Sequence, residues 1–167
     1  TKKTVREHPE LELAGPIQDD LITLLSPEGK IKKQASILDC FLNSDYAPLI
    51  LARMKRMGNV FHTNTIEVLD QKADVVSLFE PGDILISLRN MHTIAVVDPE
   101  QERVRWAMDG LWKMQHQPTL LANGHILLFD NQGEMGKSKV VEFDPLTHEV
   151  LWAYRNTGEH PLESESN

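Results

Sequence analysis

The feature that most constrains the fold is a repeat. GDILISLRN followed by HTIAVVDPEQERVRW has a counterpart in NGHILLFDN followed by SKVVEFDPLTHEVLW. Asp98-Pro99 matches Asp144-Pro145 and Trp106 matches Trp152, each pair 46 residues apart. A unit that recurs at such a period buries its apolar face by stacking on its neighbours. Each unit reads as four short strands. The first set falls near 63–69, 83–89, 93–98 and 103–108, the second near 117–121, 125–130, 139–143 and 149–154. The DPE and DPL segments supply turn chemistry between the third and fourth strands. The second strands, ILIS and ILLF, are apolar without alternation, which suits strands covered on both faces. Four strands in about 40–50 residues is the signature of a β-propeller blade.

The expected class is therefore all-β, built of propeller-type four-stranded antiparallel blades. Two are complete, and a partial one lies upstream. DLITLLSPEGKIKKQ reads as a hairpin, Leu21–Leu25 and Lys30–Gln34, turning at SPEG. SILDCFLNSDYAPLILARMKRM reads as an insertion of short helices near 35–57, broken near Pro48. The chain divides into an N-terminal segment (1–18), a partial blade with the helical insertion (19–58), blades at 59–110 and 111–156, and a C-terminal connection (157–167). A closed ring needs at least about four blades. Either the chain is a segment of a longer propeller, or it completes a ring as a homo-oligomer. The segment is the expectation, because an open arc exposes apolar sheet faces.

Composition excludes several functions. The 167 residues are 41% hydrophobic and 25% charged, which is globular. A net charge of −8 argues against nucleic acid, which calls for a basic face. No apolar run reaches the roughly 18 residues of a membrane span. The chain opens on TKKTVREH without a methionine, so the lack of a visible signal peptide carries no weight. The single Cys40 forms no intrachain disulfide and reads as a buried apolar thiol.

The polar residues of interest fall at the blade entries. FHTNTIEVL carries His62 and Asn64, and QHQPTLL carries His116. Strand starts at corresponding places in a propeller face its channel, so these histidines converge from adjacent blades. Two residues apart on a strand, His62 and Asn64 share a face. Arg89 ends the apolar strand ISLRN, where a guanidinium calls for a partner or a wet cavity. Two imidazoles, an amide and a guanidinium suit a small tetrahedral oxyanion such as sulfate or phosphate.

Plainer readings compete. His92, His125 and His148 read as turn or satisfied surface residues, and His8 and His160 lie in terminal segments. Asp130 and Asn131 read as closing the FDNQG loop through side-chain-to-backbone bonds, with Asn131 reaching the channel as the alternative. Trp106 and Trp152 read as blade packing. Trp112, outside the repeat and near His116, is open between packing and an aromatic wall for a ring-bearing ligand. A zinc site ranks low: His62 and His116 supply two ligands, but there is no HExxH and no cysteine pair. No GxGxxG or Walker A supports a nucleotide-borne donor, and no cofactor is expected.

The ordered series HTN, a strand ending in S-x-R, QH, NGxILLFDN, S-[basic]-VVEFDP and a closing W-x-Y resembles the bacterial arylsulfotransferase family over residues 60–155. The resemblance implies a six-bladed propeller with an extracytoplasmic, often periplasmic, active site at its channel. The implied reaction moves a sulfuryl group from a phenolic sulfate ester to another phenol, through a sulfated histidine and without a nucleotide donor. It places His116 at the nucleophile, His62 and Asn64 at the channel histidine and asparagine, and Arg89 at the sulfate-binding arginine. His62 would serve as acid and base, and the two steps imply ping-pong kinetics. Aryl sulfate and phenol are the implied partners, and Trp112 and Asn131 complete the substrate-binding set. The sequence departs from the family pattern in four respects. A further active-site histidine from an earlier blade is not located, Lys139 stands where arginine is usual after Ser138, paired cysteines are absent, and QKADVVSLFEPG lengthens the interval from His62 to Arg89. A non-catalytic propeller that binds a ligand or protein is the competing function, and a hydrolase using water is the third.

Overall fold

The computed structural model describes residues 17–54, 60–70, 78–133 and 137–155, together with the backbone of 2–6. Its strands form three antiparallel sheets. The first joins β1 (Lys2–Arg6), β2 (Ile17–Leu25) and β3 (Ile31–Ser36) in that order. The second is a meander of β4 (Thr63–Leu69), β5 (Asp83–Leu88), β6 (Thr93–Asp98) and β7 (Arg103–Met108). The third repeats it with β8 (His116–Leu120), β9 (Ile126–Asp130), β10 (Lys139–Phe143) and β11 (Val150–Tyr154). These are the blades that the repeat predicts, with boundaries within a residue of those read from the sequence.

Between the first two sheets lie α1 (Ile37–Leu42) and α2 (Ala47–Met54). Ser36 caps α1 by accepting the Asp39 N–H at 3.0 Å. The break between the helices falls at 43–46 rather than at Pro48. Pro48 sits in the first turn of α2, where its missing N–H has no intrahelical partner to lose. The strand β1 is absent from the sequence reading. It pairs with β2 from Lys2↔Leu21 to Arg6↔Ile17, but its charged residues carry no apolar alternation. The expectations for His8, His160 and the segment 157–167 lie outside the described residues.

The two central strands of the middle sheet are buried on both faces, which explains their unbroken apolar runs. Every residue of β5 and β6 is buried. Ile84, Ile86 and Leu88 pack into one cluster with the helices and β2, including Phe41, Ile50 and Phe61. On the opposite face, Leu85, Ile94, Val96 and Trp106 pack with Leu128, Val141 and Phe143 of the third sheet. Cys40 lies fully inside the first cluster, where burial pushes its thiol up to about 12. It is a packing residue.

Two Asx turns repeat with the blades. Asp98 Oδ1 accepts the N–H of Glu100 and of Gln101, both at 3.0 Å, and Asp144 Oδ1 accepts that of Leu146 at 2.7 Å. Trp106 is buried against the third sheet. Its counterpart Trp152 lies on β11, whose five residues are all exposed, and stacks on Tyr154 with ring centroids 6.2 Å apart.

Candidate functional site

The inner strands of the two blades, β4 and β8, lie side by side and are stitched by side chains. Asn64 Nδ2 donates to the Gln115 carbonyl at 3.0 Å. The Gln117 N–H donates to Thr65 Oγ1 at 3.1 Å, and the Leu120 N–H to Glu67 Oε2 at 3.2 Å. His116 therefore sits between two peptides held by the preceding blade. Both strands are irregular where this happens. The register slips between Thr63 and Thr65 in β4, and between His116 and Thr119 in β8. A bulge re-aims the side chains beside it.

The backbone is strained at the same places. His62 (φ 50°), His92 (φ 54°), Met114 (φ 54°) and Gln117 (φ 54°) are all left-handed. Each costs about 1–2 kcal/mol in a residue with a β-carbon. Such strain persists where surrounding bonds over-determine it, commonly at functional sites. Here the bonds are visible. The Arg89 N–H donates to the His62 carbonyl at 3.3 Å and the Asn90 N–H to Phe61 at 3.2 Å. The Thr63 N–H donates to the buried Asp20 carboxylate of β2 at 2.9 Å.

The repeat can be aligned through these bonds. Asn90 donates to Phe61 as Gln132 donates to Lys113, at 3.0 Å. Counting on from Phe61 and Lys113, left-handed His62 matches left-handed Met114, and Asn64 matches His116. The two histidines thus enter from adjacent blades but hold different places in the repeat, two residues apart. That offset is invisible without the backbone.

His116 is half-buried at the start of β8. Burial, and then the nearby Arg89 charge, hold its imidazole below the ordinary histidine value, while a hydrogen bond to the Met114 backbone works in the opposite direction. Arg89 opens the 3-10 turn Arg89–Met91 directly after β5 and is 7% exposed. Its Nη1 donates to Asn90 Oδ1 at 3.3 Å. His62 is half-buried just ahead of β4. The structure thus brings Arg89 into the electrostatic reach of His116, and Asn64 against the peptide that precedes it.

The other two candidates are placed differently. Trp112 is 3% exposed in the aromatic cluster between the blades, 5.1 Å from Phe143. Asn131 is 3% exposed, and its carbonyl accepts the Ser138 hydroxyl at 2.9 Å. Beside it, buried Asp130 accepts the Lys113 N–H at 2.9 Å and pairs with Lys139 Nζ at 3.6 Å. Burial raises the Asp130 carboxyl against those partners. Gly133 is required here: a β-carbon on it would stand 2.1 Å from Asp130 Oδ2.

Sequence reasoning passed over two residues that the site uses. Gln115 is fully buried, and its Nε2 lies 3.1 Å from Ser87 Oγ, 3.2 Å from the Leu88 carbonyl and 2.9 Å from that of Thr93. It ties the approach to His116 into β5 and β6. His92 reads as a turn residue, and it does hold a left-handed turn. However, its Nδ1 also accepts the Met114 N–H at 3.1 Å. The other dismissed histidines stay apart: His125 pairs with Glu142 at 2.7 Å, and His148 is exposed in the turn before β11. Among the described residues, no group of three or more His, Cys, Asp or Glu is placed to hold a metal. None of their helices is long and apolar enough to cross a membrane.

Meandering four-stranded blades, joined along their inner strands by a histidine- and arginine-bearing edge, define a propeller-type protein with a polar site at the blade junction. Residues 4–167 match the family arylsulfotransferase (ASST), and the chain belongs to that family. No curated protein and no solved structure matches it. Membership ties the chain to aryl sulfotransfer, with aryl sulfates and phenols as the substrate class.

Proposed function

We propose that His116 is the nucleophile of a two-step aryl sulfotransfer. Its bare ring nitrogen attacks sulfur, the bond from sulfur to the aryl oxygen breaks, and the phenoxide leaves. His62 protonates that oxygen. In the second step His62 takes the proton of an acceptor phenol, whose oxygen attacks sulfur and breaks the bond to His116. Arg89 neutralises charge on the sulfuryl oxygens. Asn64 holds the Gln115 peptide and, through its remaining amide hydrogen, offers a donor. The observation that carries this reading is the state of His116. A half-buried imidazole beside a guanidinium stays neutral near pH 7 and so remains nucleophilic. The guanidinium also supplies the charge that an anionic sulfate ester seeks.

Such an exchange is ping-pong, and the covalent intermediate is the point to test. The protein is incubated with 4-nitrophenyl sulfate and its intact mass is measured beside that of His116→Ala. A gain of one sulfuryl group, absent from the variant and discharged by added phenol, is the expected result. No gain and no nitrophenolate would favour a binding scaffold. Turnover that ignores added phenol would favour hydrolysis. An extracytoplasmic, periplasmic setting belongs to the same reading and is supported by the family alone.

A further inference from the structure

We propose that Asp20 is a positioning residue for His62, holding the peptide that links His62 to Thr63. Asp20 lies on β2, in the first sheet, and is 1% exposed. Its Oδ2 accepts the Thr63 N–H at 2.9 Å. At the other end of the same peptide, the His62 carbonyl accepts the Arg89 N–H at 3.3 Å. A peptide is planar, and in the trans form its N–H and C=O point in opposite directions. Bonds at both ends therefore fix its plane between β2 and the turn after β5. That plane sets one of the two backbone angles of His62. The other, φ 50°, is left-handed and calls for an outside hold. The Phe61 carbonyl, bonded to the Asn90 N–H at 3.2 Å, secures the peptide on the near side. The bond from Asp20 also falls just ahead of the slip between Thr63 and Thr65, where Asn64 is the extra residue of β4. His62 and Asn64 thus flank one anchored residue.

The surroundings of Asp20 separate it from a packing role. Its neighbour Asp19 is equally buried but fully used: it accepts the Ser36 hydroxyl at 2.6 Å and the Leu38 N–H at 3.2 Å, where α1 begins. Asp20 Oδ1 is buried with no hydrogen-bond partner among the described residues. A buried carboxylate that accepts a single main-chain N–H is a poor stability device, since a charge taken from water calls for full pairing. What it does supply is a strong acceptor at a fixed place. The hold passes from Thr63 to His62 through the covalent chain, with no side chain between.

The inference rests on the sulfotransfer reading for its kinetic consequence but not for its geometry, so the full chain is tested in two arms. Asp20→Asn keeps an acceptor oxygen for the Thr63 N–H and removes the charge. Asp20→Ala removes both. Should Asp20→Ala not fold, Asp20→Thr takes its place, since a β-branched side chain suits a strand and its oxygen ends one bond short. In the first arm, NMR follows the hydrogen exchange of the Thr63 amide and the ring signals of His62. Slow exchange in the wild type and in Asp20→Asn is expected, with exchange on the order of tenfold faster and displaced His62 signals in Asp20→Ala. Unchanged Thr63 exchange in Asp20→Ala overturns the proposal. So do His62 signals that stay in place while the exchange quickens, since the bond then positions nothing.

The second arm measures kcat/KM for the sulfate donor, which in a ping-pong scheme reports the step that sulfates the protein. Phenyl sulfate releases a more basic phenoxide than 4-nitrophenyl sulfate, so it depends more on the proton from His62. Asp20→Ala is expected to lose on the order of ten- to a hundredfold on phenyl sulfate and little on 4-nitrophenyl sulfate. Asp20→Asn is expected to stay close to the wild type on both. A smaller amount of folded protein lowers both donors alike. Equal losses on the two donors overturn the proposal, and so does an Asp20→Asn variant that matches Asp20→Ala. Should the wild type transfer no sulfuryl group, the sulfotransfer reading fails while the Thr63 and His62 signals still decide the role of Asp20.

Discussion

Trp106 donates its indole N–H to the main-chain carbonyl of Pro145 at 3.1 Å, from one blade to the Asx turn of the next. The indole is 3% exposed and stands 5.9 Å from Phe79 and 6.4 Å from Phe143. Replacing it with phenylalanine keeps much of the packing but orphans the carbonyl, at a cost of about 1–3 kcal/mol. Replacing it with alanine costs about 3–5 kcal/mol. Trp152→Ala, at the matching place but 49% exposed, is expected to cost under about 1 kcal/mol. Urea titrations of the three variants check the ranking, and equal losses at Trp106 and Trp152 would count against the packing account.

Arg105 is the second point of attack. Its side chain is 13% exposed and pairs with Asp83 at 2.8 Å and Asp98 at 2.7 Å, both nearly buried. Arg105→Met leaves two buried carboxylates without their cation, a loss of about 3–5 kcal/mol. Burial already raises the folded Asp83 carboxyl, so the native state holds that proton more tightly than the unfolded chain. Its ionisation therefore weakens the fold as pH rises from 3.8 upward. Without Arg105 the effect grows, and the gap between variant and wild type is expected to narrow on acidification. A gap independent of pH would contradict this.

Asp130 allows a cleaner titration. Its folded carboxyl is likewise raised by burial, so its contribution is most favourable when protonated and declines as pH climbs above 3.8. Asp130→Asn keeps an acceptor for the Lys113 N–H and removes the titration. The stability of the variant relative to wild type is expected to improve steadily as pH rises through the carboxylate range. Midpoints of urea unfolding across that range test it, and the opposite slope would show that Lys139 outweighs burial.

At the site, Arg89→Met separates electrostatics from nucleophilicity. Arg89 lowers the pKa of His116, so removing its charge shifts the acid limb of kcat/KM to higher pH. Loss of a charged donor to the sulfuryl oxygens should also lower kcat about 10²–10³-fold. A rate loss without the shift would place Arg89 away from His116.

The blades were legible because a 46-residue period, Asp-Pro turns and apolar strands all agree on one fold. Strand β1 was not, since KKTVR shows no apolar alternation in the sequence, and its pairing with β2 appears only in the backbone. Residue types at the site were legible too, as His62, Asn64, Arg89 and His116 stand out at strand ends. Their geometry was hidden. Two bulges and four left-handed residues decide where those side chains go, and none of His62, His92, Met114 or Gln117 has the glycine that advertises a positive φ. His92 was dismissed as a turn residue because its partner, the Met114 N–H, lies 22 residues away and belongs to the backbone.

The register slips in β4 and β8 have a consequence for how such a centre can change. Beyond each slip the ladder resumes, residues 65–69 against β5 and residues 119–120 against β9, beside the apolar layers. Ahead of it, residues 62–64 and 114–117 are held by separate bonds to Asp20, Arg89, His92, Thr65 and the strands around Gln115. The irregular turn thus works as a joint of separate ties, of which those from Gln115 run into β5 and β6. Substitutions that reshape the mouth and spare Gln115 need not be transmitted into the sheets, and a scaffold of this kind can vary its mouth without renegotiating its fold.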